Sequence, residues 1–209
     1  MRQRKIKGAK EMIAANTRYY IEDPTNHKGS WHKVFNNDNP IVLEIGSGKG
    51  KFITELATLN PNINYIGLEK FDNVLLRLSQ KLETKELDNI KIIREDASNL
   101  LEMFSENEID TILLNFSDPW PKNSYKKRRL THENFLLKYK NILKEDGKII
   151  FKTDNRLLFE FSLMEFAKMK MDVLNISLDL HQSDIFNIKT EYEEKFEDKG
   201  PIYYIEIKF

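Results

Sequence analysis

The feature that most constrains this chain is a short apolar run that breaks into glycines. Ile41, Val42, Leu43, Glu44 and Ile45 read as a buried strand, Gly46-Ser47-Gly48-Lys49-Gly50 as a tight turn, and Phe52, Leu56 and Leu59 recur at helical spacing until Pro61 stops the helix. A strand that enters a glycine turn and leaves it as a helix is the building unit of a parallel sheet. The alternation continues. Residues 64–69 read as a second strand, Val74, Leu75, Leu78 and Leu82 as a helical stripe, and residues 90–94 and 109–115 as strands three and four. Phe135, Leu136, Tyr139, Ile142 and Leu143 mark a further amphipathic helix with Gly147 as its expected C-cap, and residues 148–153 a fifth strand. Residues 156–168 read as helix, 171–178 as strand and 201–209 as a closing strand. The acidic stretch 181–200 has no clear period and is too long for an ordinary connection. The expected fold is α/β, Rossmann-like and doubly wound, a mostly parallel sheet with helices on both faces.

A chain of 209 residues fits one domain, here residues 40–209, preceded by a basic N-terminal extension, residues 1–39. Lys plus Arg (33) equals Asp plus Glu (33), so the net field attracts no polyanion and any nucleic-acid contact must come from local clusters. Two such clusters are present: Arg2, Arg4, Lys5, Lys7 and Lys10 near the start, and Lys122, Lys126, Lys127, Arg128 and Arg129 later. The acids gather elsewhere, at Glu191, Glu193, Glu194, Glu197 and Asp198. The absence of cysteine excludes disulfides and thiolate chemistry, and the four histidines show no HxxxH or HExxH spacing, so no metal is expected. No apolar run approaches the roughly 20 residues of a membrane span, and the N-terminal residues lack a signal core; the expected location is cytoplasmic.

The glycine turn excludes two familiar cofactors on spacing. A dinucleotide fingerprint needs a third glycine at position 51, which is lysine, and a phosphate-binding loop needs Ser or Thr after Lys49, where Gly50 stands. Glu44, two residues before the turn, would repel a pyrophosphate by about 1 to 4 kcal/mol at close approach. It would attract a cation instead. S-adenosylmethionine carries a sulfonium, an ammonium and a ribose, and three acids stand at successive strand ends to meet it: Glu44, Glu69 and Asp96, the last suited to the adenine amino group.

With these residues in view the chain resembles the bacterial tRNA (guanine-N(7))-methyltransferases, a family of class I S-adenosylmethionine enzymes. The likeness spans roughly residues 35–209 and rests on Ile45-Gly46-Ser47-Gly48-Lys49-Gly50, Gly67-Leu68-Glu69, Phe116-Ser117-Asp118-Pro119-Trp120-Pro121-Lys122, Lys127-Arg128-Arg129-Leu130 and Thr190-Glu191-Tyr192-Glu193. One position departs: Tyr125 stands where members usually have histidine. The resemblance implies a cofactor site including Glu44, Gly46, Gly48, Glu69, Asp96 and Asp118, with Asp118 also catalytic. It further implies substrate contacts by Lys122, Asp154, Thr190, Tyr192 and Glu193.

The segment from Phe116 to Leu130 is then expected to hold two roles. Pro119 and Pro121 stiffen the frame around Asp118 at the mouth of the sheet, and Lys126, Lys127, Arg128 and Arg129 lead outward as RNA phosphate contacts. Guanine N(7) already carries a lone pair, so the expected reaction is in-line transfer of the methyl to N(7) of a variable-loop guanine, with positioning as the enzyme's main task. The expected partner is tRNA, and the protein a monomer or homodimer. Two other readings remain at this stage: a class I methyltransferase acting on a small molecule or protein, and a noncatalytic RNA-binding module. An oxidoreductase ranks below both because of Glu44 and the glycine spacing.

Overall fold

The computed structural model describes residues 6–209. Its strands are β1 (Tyr20–Ile21), β2 (Ile41–Ile45), β3 (Asn64–Leu68), β4 (Ile90–Ile93), β5 (Ile109–Asn115), β6 (Leu143–Thr153), β7 (Asp172–Ser177) and β8 (Tyr203–Lys208). They form one sheet in the order β1-β4-β3-β2-β5-β6-β8-β7. The pairs from β1 to β6 are parallel, whereas β8 runs antiparallel to both β6 and β7. The helices are α1 (Ala9–Ala14), α2 (Trp31–Phe35), α3 (Lys51–Leu59), α4 (Asp72–Glu83), α5 (Leu100–Met103), α6 (Glu133–Ile142), α7 (Arg156–Lys168) and α8 (Glu191–Phe196).

Both faces of the sheet are covered, as the near-continuous apolar run of β2 requires. Successive side chains point to opposite faces, so Leu43 and Ile45 join one core with Trp31, Leu136, Tyr139 and Phe151. Val42 joins a second core with Ile13, Ile53, Leu75 and Leu78 on the opposite face. Leu43, Ile66 and Ile112 have no exposed surface, and burying each stabilises the fold by about 1.5 to 3 kcal/mol. From β2 the chain steps outward through β3 and β4, then returns to lay β5 along the other side of β2. The carboxyl ends of β2 and β5 therefore flank the topological switch point, where such sheets form a crevice.

The described part of the N-terminal region is woven into this body. Tyr20 pairs with Ile92 at the sheet edge, Asn16 Nδ2 donates to the Ser79 carbonyl at 3.1 Å, and the buried Trp31 donates through Nε1 to the Met103 carbonyl at 3.0 Å. Of the first basic cluster, Arg2, Arg4 and Lys5 lie outside the described residues.

The expected C-cap at Gly147 is not one. Helix α6 stops at Ile142, and Leu143 is already extended at φ −74° and ψ 141°. Gly147 sits inside β6, beside a register shift in its pairing with β5. There a Cβ would approach the Lys144 carbonyl oxygen to 2.8 Å, so glycine answers a close backbone approach rather than a left-handed cap. The acidic stretch that shows no sequence period contains α8.

Candidate active site

The turn after β2 is tied to the end of β3, because the N–H groups of Gly46 and Ser47 both donate to the Leu68 carbonyl, at 2.8 and 3.1 Å. Gly46 has φ +80° with open space where a Cβ would stand, so a side chain there would be strained and would project into the cavity that Gly46 lines. Gly50 (φ +81°) has no room for one, since a Cβ would lie 2.1 Å from Leu78 Cδ1. That contact lets α3 start close against α4.

A cavity of about 530 Å³ opens at the carboxyl ends of β2 to β5. Its wall brings together Gly46, Glu69, Asp96, Asp118, Lys127 and Arg128. Glu69 accepts from the Gly48 N–H at 3.2 Å and the Phe71 N–H at 2.9 Å; burial raises its carboxyl above the ordinary value despite these bonds. Asp96 accepts from the Ser98 N–H at 2.8 Å and stands 3.9 Å from Lys70 Nζ. Burial works to raise its carboxyl, but the Ser98 hydrogen bonds and the lysine charge outweigh it and hold the group below the ordinary value.

Glu44 lies beneath the wall, only 2% exposed. Its Oε1 accepts from Asn115 Nδ2 at 2.7 Å, and burial pushes its carboxyl up to about 7 against the help of Asn115 and the Lys152 charge. Among the described residues six side-chain atoms are buried without a hydrogen-bond partner; two are Asn64 Oδ1 and Tyr139 Oη, and the other four are Glu44 Oε2, Ser47 Oγ, Asn115 Oδ1 and Ser117 Oγ. All four belong to the carboxyl ends of β2 and β5 or the turns that follow, and each such atom costs about 1 to 3 kcal/mol when left unpaired.

Past Asn115 the backbone is bent hard. Phe116 and Trp120 hold φ of +49° and +41°, conformations that cost non-glycine residues about 1 to 3 kcal/mol each and persist where the surroundings enforce them. Asp118 stands exposed between them on the cavity wall, engaged in no hydrogen bond or ion pair among the described residues. The guanidinium of Arg129 turns inward, donating from Nε to the Pro119 carbonyl and from Nη2 to the Trp120 carbonyl, both at 3.0 Å. Arg128 instead lies over the Trp120 and Tyr125 rings at 4.9 and 4.6 Å. Lys122, Lys126 and Lys127 are exposed without ion pairs among the described residues.

Thr190 and Glu193 do not reach the cavity wall. Thr190 Oγ1 accepts from the Glu193 N–H at 3.0 Å, and Glu193 Oε2 accepts from the Thr190 N–H at 3.3 Å, the reciprocal capping box that starts α8. Glu193 has no exposed surface. Its two oxygens are occupied by Lys152 Nζ (2.7 Å), His181 Nε2 (2.7 Å) and Asn187 Nδ2 (2.6 Å). Through these bonds both residues fasten the segment before and within α8. Tyr192 does reach outward. Its ring centroid lies 5.1 Å from that of Phe116, and its hydroxyl donates to Asp154 Oδ2 at 2.9 Å. Burial and that bond push the phenol up to about 12.

Sequence reasoning missed Lys152, Asn115 and the inward turn of Arg129. The first had a signal, a charge inside the apolar run Ile149-Ile150-Phe151-Lys152, and so did the capping box, as Thr-x-x-Glu before an aromatic. Nothing in the sequence distinguishes Arg129 from Arg128.

Among solved structures, one described as an antibiotic-related methyltransferase superposes with a TM-score of 0.66 at 18% identity, over 91% of this chain and 95% of that one. A 16S rRNA methyltransferase gives 0.64 at 12% identity, over 85% and 91%. A family model described as "Putative methyltransferase" matches residues 38–204. The sheet order, the glycine turn at the switch point and these likenesses define a class I methyltransferase. Two curated relatives called tRNA (guanine-N(7)-)-methyltransferase narrow the class. The one from Geobacillus is 51% identical over 211 residues, covering 100% of this chain and 96% of its own length; the one from Streptococcus pyogenes is 52% identical, covering 98% and 97%. The chain belongs to the tRNA (guanine-N(7)-)-methyltransferase family.

Among the described residues no helix is long and apolar enough to cross a membrane, and no group of three or more His, Cys, Asp or Glu side chains is placed to hold a metal ion.

Proposed function

We propose that this protein methylates N(7) of a guanine in the variable loop of tRNA, taking the methyl group from S-adenosylmethionine by in-line displacement. The observation that carries the reading is the exposed, unpartnered Asp118, set between an acid-lined pocket at the strand ends and a turn of free cations. Bound in the cavity, the cofactor supplies an electrophilic methyl on sulfur. Glu69 would hold its ribose hydroxyls and Asp96 its adenine amino group from the cavity wall, while Gly46 leaves room for its close approach and Glu44, buried beneath that wall, would draw its ammonium by charge.

The rest of the task falls to orientation and charge. Guanine N(7) needs no base, because its lone pair is already free. Asp118 accepts hydrogen bonds at the cavity mouth and offsets the positive charge that grows on the purine. Asp154, which accepts from the Tyr192 hydroxyl, would accept from the guanine edge, and Tyr192 would offer a ring for stacking. Lys122, Lys126, Lys127 and Arg128 contact phosphates.

The test is incubation of purified protein with unmodified bulk tRNA and S-adenosylmethionine, followed by digestion and mass analysis of nucleosides. The expected product is 7-methylguanosine, lost in Asp118→Ala at unchanged thermal stability. Methyl transfer to a small molecule or protein with none to tRNA would overturn the reading.

A further inference from the structure

Arg129 closes the run of cations from Lys126, yet its geometry is unlike theirs. It is half-buried where Lys126, Lys127 and Arg128 are exposed. Its fork spends Nε and Nη2 on the carbonyls of Pro119 and Trp120, the two residues that follow Asp118. Its other side lies on α7, with the guanidinium carbon 4.3 Å from the centre of the Phe161 ring. Two residues on, the chain is pinned to the same helix, where the fully buried Ser162 hydroxyl donates to Thr131 Oγ1 at 2.7 Å. Arg129 is therefore a strut between a rigid helix and the backbone just beyond Asp118.

We propose that Arg129 is a positioning residue for Asp118 rather than an RNA contact, an inference that rests on the function proposed above. The backbone at Asp118 is constrained on both sides. Pro119 holds Asp118 in extended geometry, while Phe116 and Trp120 occupy left-handed conformations that need outside support. Gripping two successive carbonyls with one planar fork supplies that support and fixes the direction in which the carboxylate leaves the chain. Lysine, a point charge on a flexible stem, does not reproduce the grip.

The experiment compares Arg129→Ala and Arg129→Lys with wild type in steady-state kinetics and in tRNA binding across a salt series. For a carboxylate displaced by about 1 Å, kcat falls on the order of 100-fold. The KM values for tRNA and S-adenosylmethionine stay within about threefold, and the salt slope of tRNA affinity is unchanged. Arg129→Lys recovers little, whereas millimolar guanidinium added to Arg129→Ala restores part of kcat. A salt slope shallower by roughly one phosphate contact, with kcat retained, overturns the proposal and returns Arg129 to the RNA face. If Arg129→Ala does not fold, Arg129→Lys carries the test alone, since it keeps the charge and stem: wild-type kcat in that variant also overturns the proposal. The wild-type control separates the two readings. If wild type makes no 7-methylguanosine, the proposed function fails; if it does and the variants show the wrong split, only the role of Arg129 fails.

Discussion

Glu44 and Glu193 are both buried carboxylates, and both feel the charge of Lys152, yet they end on opposite sides of the ordinary glutamate value. Burial acts to raise each. At Glu193 the Lys152 ammonium and hydrogen bonds from His181 and Asn187 outweigh it, and the carboxyl is held low. At Glu44 the single bond from Asn115 does not, one oxygen stays unpaired, and the group is pushed up to about 7. Burial alone thus does not say what an acid is for. Completed partners make Glu193 a fastener for the segment around α8; missing partners leave Glu44 with an unpaired oxygen and a raised carboxyl.

Removing the fastener should have the largest effect on stability. Glu193→Ala leaves the buried Lys152 ammonium without its ion-pair partner, keeping Asn187 Oδ1 and the Ile188 carbonyl as hydrogen-bond acceptors, a change expected to cost about 3 to 5 kcal/mol. The same substitution removes half of the capping box. Urea unfolding measures the loss, and the double variant Lys152→Met, Glu193→Leu should recover most of it. A double variant as unstable as the single would show that the capping box, not the ion pair, holds the segment.

Glu44→Gln should do the reverse, keeping shape and the Asn115 contact while removing a buried charge that has no ion-pair partner among the described residues. The folded value near 7 lies above the 4.5 of an unperturbed glutamate. Its contribution to stability is therefore full below pH 4.5 and is lost as pH rises through 7. Wild type should lose roughly 3 kcal/mol relative to Glu44→Gln across that window, read from urea unfolding at a series of pH values. Binding should move oppositely: S-adenosylmethionine affinity of wild type rises with pH through about 7, whereas Glu44→Gln binds about tenfold or more weakly with no such rise. Parallel pH profiles for the two proteins would remove Glu44 from the cofactor site.

This contrast also marks what was legible in the sequence. Strand order along the chain, the glycine turn and the three acids at strand ends follow from local periodicity and the rule that ligands sit at carboxyl ends, so β2 to β5 and the cavity were readable from one dimension. Whether an acid is free or spoken for depends on residues far away: Glu193 meets Lys152 across 41 positions and Glu44 meets Asn115 across 71. No local pattern carries that. The contacts of Arg129 are hidden for the same reason, since the run of cations is local and the packing of its guanidinium on Phe161 of α7 is not. The pairing of β1 with β4 and the entry of Trp31 into the core leave little trace in the sequence, because two residues of edge strand carry almost no periodic signal.

The smallest effect is expected at Glu191, which belongs to the same acidic cluster as Glu193 but not to its environment. Glu191 Oε1 accepts from the Lys51 N–H at 3.1 Å and from Lys81 Nζ at 2.7 Å, docking α8 against the first turn of α3. The pair with Lys81 is open to water, with the two side chains 31% and 35% exposed, and exposed pairs of this kind contribute about 0 to 1 kcal/mol. Glutamine at this position keeps an oxygen for the Lys51 N–H. Glu191→Gln should therefore lower stability by less than about 1 kcal/mol in dilute buffer and by less still near 1 M salt, where screening acts within about 3 Å. A loss that matches Glu193→Ala and persists in high salt would mean that the docking of α8, rather than the burial of one ion pair, is what the acidic cluster provides.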